Sequence, residues 1–206
     1  FNTGLLHTMS SELGLLGGEP IPLQKSWSFW HDKFQGPGQT AEEFEKNLNE
    51  LCSFDSVQSF WSCYNSLPGV EQLSPKSSYH LMKKGVKPIW EDPENADGGF
   101  WSLRISKEAS PNVWKELLLA AVGEQFAPII DDDDDITGIT VSVRTHDNIM
   151  QVWNKKKETN LQNILDKILA VMPTGIAPTA HFYKACNQHS KFDESVSKRK
   201  QVSKKV

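Results

Sequence analysis

Apolar and polar side chains alternate strictly near the middle of the chain, with Ile139, Val141 and Val143 on one parity and Thr140, Ser142 and Arg144 on the other. Successive side chains of a strand point to opposite faces, so a period of two predicts a sheet covered on one face only. Such a sheet needs a second layer to bury its apolar side. Three segments supply it, with apolar residues at helical spacing: Val57, Phe60, Trp61 and Tyr64, then Trp114, Leu117, Leu118, Ala121 and Val122, then Leu161, Ile164, Leu165, Ile168 and Leu169. Ser110 reads as the cap of the second helix, with Pro111 in its first turn, and Thr159-x-x-Gln162 reads as a capping box opening the third. Strands are predicted at 23–30, after Phe44, and at 78–82, 100–105, 137–144, 149–153 and 180–184. The result is an α+β domain, an antiparallel sheet backed by three helices.

At 206 residues and 38% hydrophobic content, the chain suffices for one substantial core. One domain is expected over 20–190, between a flexible stretch at 1–20 rich in Gly, Ser and Thr and a basic, disordered tail at 191–206. No apolar run approaches the roughly 20 residues of a membrane span, and no signal peptide opens the chain, so a soluble intracellular protein is expected. Cys52, Cys63 and Cys186 are odd in number and lack CxxC spacing, which points to neither a disulfide framework nor a zinc site. The net charge of -4 argues against long tracking of a phosphate backbone. Any nucleic-acid target should be small. Seven tryptophans are present, a residue type that serves both cores and the docking of flat ligands.

The loop at 88–99 surrounds Trp90 and Glu91 with turn formers and gives the tryptophan no periodic partner nearby. From the local pattern, Trp90 is either a staple or a ligand platform, and the adjacent carboxylate could accept two hydrogen bonds from a planar donor edge such as guanine. The run Asp131 to Asp135 lacks the spaced ligands and central glycine of an EF-hand and reads as a solvated hairpin loop. The six histidines form no close pair. With no nucleophile elbow or phosphate loop either, no catalytic residue, metal or cofactor is called for.

Five blocks, IPLQKSWSFW (21–30), FDSVQSFWSCYN (54–65), KPIWEDPENADGGFW (87–101), VWKELLLAAVGEQF (113–126) and VSVRTHDNIMQVW (141–153), resemble the eukaryotic translation initiation factor 4E family in order and spacing. The likeness covers about residues 20 to 185. It implies a curved sheet with three helices on its convex face and a site for the 7-methylguanosine cap of messenger RNA on its concave face. In that family the methylated, cationic base stacks between two aromatic rings, a cation–π attraction of roughly 0.5–2 kcal/mol. By position Trp90 is one plate and Phe44, where the family usually has Trp, the other. Glu91 corresponds to the carboxylate that accepts from guanine, Trp153 to the indole near the added methyl, and Arg144 to the phosphate-binding arginine. Two further basic positions fall on His146 and Ile149, which implies a weak phosphate grip. Phe44, together with SYHLM and VWKELLLA, resembles the third class of the family.

The resemblance also implies a partner surface on the helical side, formed by Pro22, Val57, Trp61 and Leu119. It would receive the Tyr-x-x-x-x-Leu-apolar helix of the scaffold factor 4G or the 4E-binding proteins. Lys115 stands at a normally apolar position of that surface. Two functions are therefore weighed: a non-enzymatic, monomeric cap-binding factor in translation initiation, and an interaction protein or decoy that keeps the partner surface with little cap affinity. A cytoplasmic location is expected, and the basic tail would suit nuclear entry.

Overall fold

Seven antiparallel strands make one sheet in the computed structural model of the protein, which describes residues 19–34, 36 and 40–187. They are β1 (Pro22–Lys33), β2 (Asn49–Ser56), β3 (Ser77–Lys83), β4 (Gly99–Ser106), β5 (Ile136–Val143), β6 (Asp147–Asn154) and β7 (Ala180–Ala185), and they lie in the order β2-β1-β3-β5-β6-β4-β7. All seven strands expected from the sequence, several of them by alternation, are present. The helices are α1 (Ala41–Lys46), α2 (Val57–Ser66), α3 (Ser110–Val122) and α4 (Leu161–Val171). The expected tails at 1–20 and 191–206 fall almost wholly outside the described residues.

One parity of the sheet carries Trp27, Phe29, Tyr79, Leu81, Leu103, Ile105, Ile139, Val141, Met150 and Val152, all buried against Phe60 of α2, Trp114, Leu117 and Leu118 of α3 and Ile164 and Ile168 of α4. This is the predicted two-layer core. The other face departs from expectation, because Ser28, Ser78, His80, Thr140 and Ser142 are buried as well. Their polar groups are satisfied across the strands: Ser28 Oγ lies 2.8 Å from Ser53 Oγ, and Ser78 Oγ lies 2.9 Å from Ser142 Oγ. Alternation therefore marks which side chains need apolar neighbours and which need hydrogen bonds, while both faces of the central strands are dry.

Helix entry also differs from expectation. Ser110 lies inside α3, at its first residue, and its hydroxyl donates to the Ser106 carbonyl at 2.7 Å instead of capping the helix. The fourth helix starts at Leu161 after Asn160 in the left-handed region (φ 57°), without a side-chain cap, so the expected box from Thr159 is not formed. Capping boxes do occur at α1, between Thr40 and Glu43, and at α2, between Ser56 and Ser59. The first helix is an addition to the three predicted. It is too short to display a helical period.

The aspartate run is only partly the solvated loop expected of it, since Asp134 is buried. Its carboxylate accepts from Asn154 Nδ2 at 3.1 Å and from the Lys156 and Asp135 backbone N–H groups at 2.9 and 2.8 Å. Asp135 pairs with Lys83, and Lys156 with Asp133 at 3.2 Å. These bonds tie the start of β5 to the end of β6. Among the described residues no acidic or thiol cluster suited to a metal ion is present.

The connection from β3 to β4 is long but held from within. Asn95 is fully buried; its Nδ2 donates to the Lys87 and Ile89 carbonyls at 3.0 and 2.9 Å, and its Oδ1 accepts from Thr137 Oγ1 of β5 at 2.8 Å. Asp92 accepts the backbone N–H groups of Lys87 and Glu94 at 2.9 and 3.0 Å. Gly98 closes the loop where a Cβ would lie 1.9 Å from the Asn154 carbonyl, a space that only glycine allows. Asn95→Ala removes three buried side-chain hydrogen bonds and leaves the Thr137 hydroxyl without its partner, and about 1–3 kcal/mol of stability should be lost. Urea unfolding measures the loss, and amide exchange at Asp92 and Gly98 should accelerate.

Candidate functional site

The rigid loop presents Trp90 and Glu91 at the surface. Trp90 is 37% exposed, a large value for an indole on a loop whose backbone is so fully bonded. Lys184 of β7 places its Nζ 6.0 Å from the centre of the Trp90 ring, and burial lowers the pKa of this amine. In register Lys184 pairs with Phe100 of β4, whose ring lies 4.8 Å from that of Trp153 at 45°. Phe100, Trp153 and Cys186 form a separate buried cluster. Burial first, and the Glu91 carboxylate second, push the Cys186 thiol up to about 12. Trp90 and Glu91 thus stand above an apolar floor on the sheet face opposite α2, α3 and α4.

Trp153 is on that face as expected but only 3% exposed. Its indole N–H donates inward to Thr140 Oγ1 at 3.0 Å, so it offers a ligand little surface and no free donor. Phe44 lies half-buried on α1, which the Glu45 to Lys87 ion pair, 2.5 Å long, ties to the loop carrying Trp90. Hydrogen bonding to Glu45 raises the pKa of Lys87. The two aromatic candidates are therefore carried on neighbouring, tethered segments.

Arg144 and His146 are exposed in the turn between β5 and β6, with the Arg144 backbone N–H donating to Asn148 Oδ1 at 3.3 Å. Trp153 pairs with Gly138 at the other end of β5, so about 20 Å of strand separates the two groups of residues. Nearer the turn, Arg104 of β4 pairs in register with Ile149 and lies on the same face, its Nε 4.0 Å from Asp147 Oδ2. Arg104 supplies a cation where Ile149 does not.

On the helical side, Pro22 pairs with Ser56, and the Val57 N–H donates to the Ile21 carbonyl at 2.9 Å, so the start of β1 is stapled to the entry of α2. Ile21 is 58% exposed there. Trp61 is half-buried, with its ring 5.0 Å from Phe60 and 5.8 Å from Tyr64, both edge-on. Leu119 packs on the same core and is also half-buried, as is Lys115. The four expected partner residues all retain some exposed surface.

Sequence reasoning missed Asn95, Asp92, Lys184, Phe100 and Arg104. Asn95 and Asp92 lie in a motif rich in turn formers and are locally indistinguishable from loop filler. Lys184 and Arg104 become site candidates only when β4, β6 and β7 are placed side by side.

A profile described as eukaryotic initiation factor 4E matches residues 22–202. Rice "Eukaryotic translation initiation factor NCBP" is 37% identical over 134 residues, 65% of this chain and 57% of the relative. Dictyostelium discoideum eukaryotic translation initiation factor 4E is 37% identical over 159 residues, 74% of this chain and 62% of the relative. The chain thus spans less than two thirds of the length of these relatives. Caenorhabditis elegans eIF4E-3, solved in complex with the 4E-binding protein Mextli, superposes with a TM-score of 0.68 at 31% identity, covering 84% of this chain and 97% of that one. Ascaris suum eIF4E-3, solved with m7G cap, gives a TM-score of 0.67 at 28% identity, covering 80% and 98%. With its seven-stranded antiparallel sheet, the order of its tryptophan blocks and this extent of match, the chain belongs to the eukaryotic initiation factor 4E family.

Proposed function

We propose that the protein binds the 7-methylguanosine cap of messenger RNA on its concave face and a helical partner on its convex face, as a non-enzymatic factor in translation initiation or its regulation. The observation that carries this reading is the pair Trp90 and Glu91, held on a hydrogen-bonded loop above the Phe100 and Trp153 floor. An exposed indole face attracts a cationic, methylated base, and an adjacent carboxylate accepts from the guanine edge. Arg144 and Arg104 face the phosphates, and His146 adds a conditional cation. The two relatives solved with a cap and with a 4E-binding protein support both surfaces. Phe44 at a position where the family usually has Trp, and the likeness to eIF4E-3 structures, support membership of the third class of the family. Its expected setting is cytoplasmic, as a monomer, with nuclear access through the basic tail.

A second reading, a decoy that keeps only the partner surface, is favoured by one observation. Lys184 holds its amine 6.0 Å from the centre of the Trp90 ring, where it would compete with a stacked cationic base. Cap affinity then depends on whether the base displaces that amine.

Three sets of variants separate these readings. Trp90→Ala and Glu91→Gln should each abolish measurable binding of 7-methyl-GTP, followed by intrinsic fluorescence, while the unfolding midpoint stays nearly unchanged; wild-type affinity in Trp90→Ala sinks the site. If Phe44 closes the stack, Phe44→Ala should weaken binding by about 1–3 kcal/mol and Phe44→Trp should tighten it, with GTP responding much less. Equal affinities in calorimetric titration of the three proteins would show that Phe44 is no plate. Trp61→Ala should remove binding of a Tyr-x-x-x-x-Leu peptide and spare 7-methyl-GTP, at a stability loss of about 1–2 kcal/mol from its contacts with Phe60 and Tyr64. Retained peptide affinity would remove Trp61 from the partner surface.

A further inference from the structure

Four buried side chains form a line of hydrogen bonds across four strands. Asp32 of β1 accepts at Oδ1 from His80 Nε2 of β3 at 2.8 Å, His80 Nδ1 lies 2.8 Å from Thr140 Oγ1 of β5, and Trp153 Nε1 of β6 donates to the same oxygen at 3.0 Å. None of the four is more than 4% exposed. An indole nitrogen only donates, so Thr140 Oγ1 accepts from Trp153. With a second lone pair and one proton, the same hydroxyl either accepts from His80 Nδ1 or donates to it, according to the His80 tautomer. In both arrangements the indole N–H and both ring nitrogens of His80 have partners, and breaking a link leaves a buried polar atom unpaired.

The line ends on the indole that packs with Phe100 and Cys186 beneath Trp90, and it consumes the only polar atom of that indole. Without its bond to Thr140, another side-chain rotamer could turn the N–H from its lateral course along the sheet out toward a bound base. There it would offer a donor to the base edge that a methyl group would otherwise meet. We propose that Asp32, His80 and Thr140 are positioning residues of the concave site: they lock Trp153 with its N–H inward, so that the floor presented to a bound base is apolar. This lock adds to the preference for a methylated over an unmethylated base that stacking on the aromatic rings provides. The proposal rests on the cap-binding reading for its consequence, and on the hydrogen-bond line alone for the lock itself.

Thr140→Val keeps the shape of the side chain and removes both bonds, whereas Thr140→Ser keeps the hydroxyl. The full chain and the two variants are compared by hydrogen exchange of the Trp153 indole N–H in NMR, assigned with Trp153→Phe, and by titration with 7-methyl-GTP and GTP. In Thr140→Val the indole proton should exchange about tenfold faster and the affinity ratio of 7-methyl-GTP to GTP should fall about three- to tenfold, the worth of one net hydrogen bond. Thr140→Ser should resemble wild type in both. An unchanged indole exchange in Thr140→Val overturns the lock, and faster exchange with an unchanged ratio overturns its link to base selection. If the wild-type protein shows no preference for 7-methyl-GTP, the cap reading fails separately. Indole exchange then decides the lock alone: acceleration in Thr140→Val with rescue in Thr140→Ser supports it, and no acceleration overturns it.

Discussion

A sheet whose central strands are dry on both faces persists only if each polar side chain on it finds a partner within the sheet, because an unpaired buried donor or acceptor costs about 1–3 kcal/mol. That condition organises this protein. The helical side is filled by apolar packing, with Phe29, Leu81, Ile139 and Met150 meeting Phe60, Leu117 and Ile164. The concave side is filled by polar residues that bond laterally: Ser28 with Ser53, Ser78 with Ser142, and Asp32 through His80 and Thr140 to Trp153. Lateral bonds of this kind cross the strands at right angles to the chain. They fix strand register as well as satisfying polar groups, since a slip of one residue would turn every one of these side chains to the wrong face.

The same rule holds at the ends of the strands. Asp134, Asn154 and Tyr183 are joined by bonds from Tyr183 Oη to Asn154 Oδ1 at 3.0 Å and from Asn154 Nδ2 to Asp134, connecting β7 to β6 and to the start of β5. Asn95 does the same for the loop from β3 to β4, with Thr137 of β5 as its anchor. A loop so held costs little entropy to order when a ligand arrives. Exposure of Trp90 is compatible with folding for that reason: the loop is stabilised by its buried amide and carboxylate, not by burial of the indole.

The site divides into two ends that are chemically different. Trp90, Glu91 and the Phe100 and Trp153 floor are aromatic, carboxylate and apolar, suited to a flat cationic base. Arg144, His146 and Arg104 lie toward the other end of the hairpin from β5 to β6, where an anionic chain would extend. Under the proposed function, separation by most of a strand length would let different residues set base selectivity and phosphate attraction.

Much of this was legible in the chain itself. Alternation and helical spacing are local consequences of side-chain direction, so several of the strands and three of the four helices follow from them, and the remaining strands were read from the segments between. Trp90 and Glu91 stood out because a tryptophan among turn formers has nothing local to pack against. The remaining features depend on residues far apart in the chain. Burial of the polar face, the partners of Asp134, the inward turn of the Trp153 indole, and the approach of Lys184 to Trp90 arise only when strands from opposite ends of the sequence lie side by side. A hydrogen bond is decided by distance and direction between two groups. A sequence states which groups can donate and accept, and only the tertiary structure decides which of them meet.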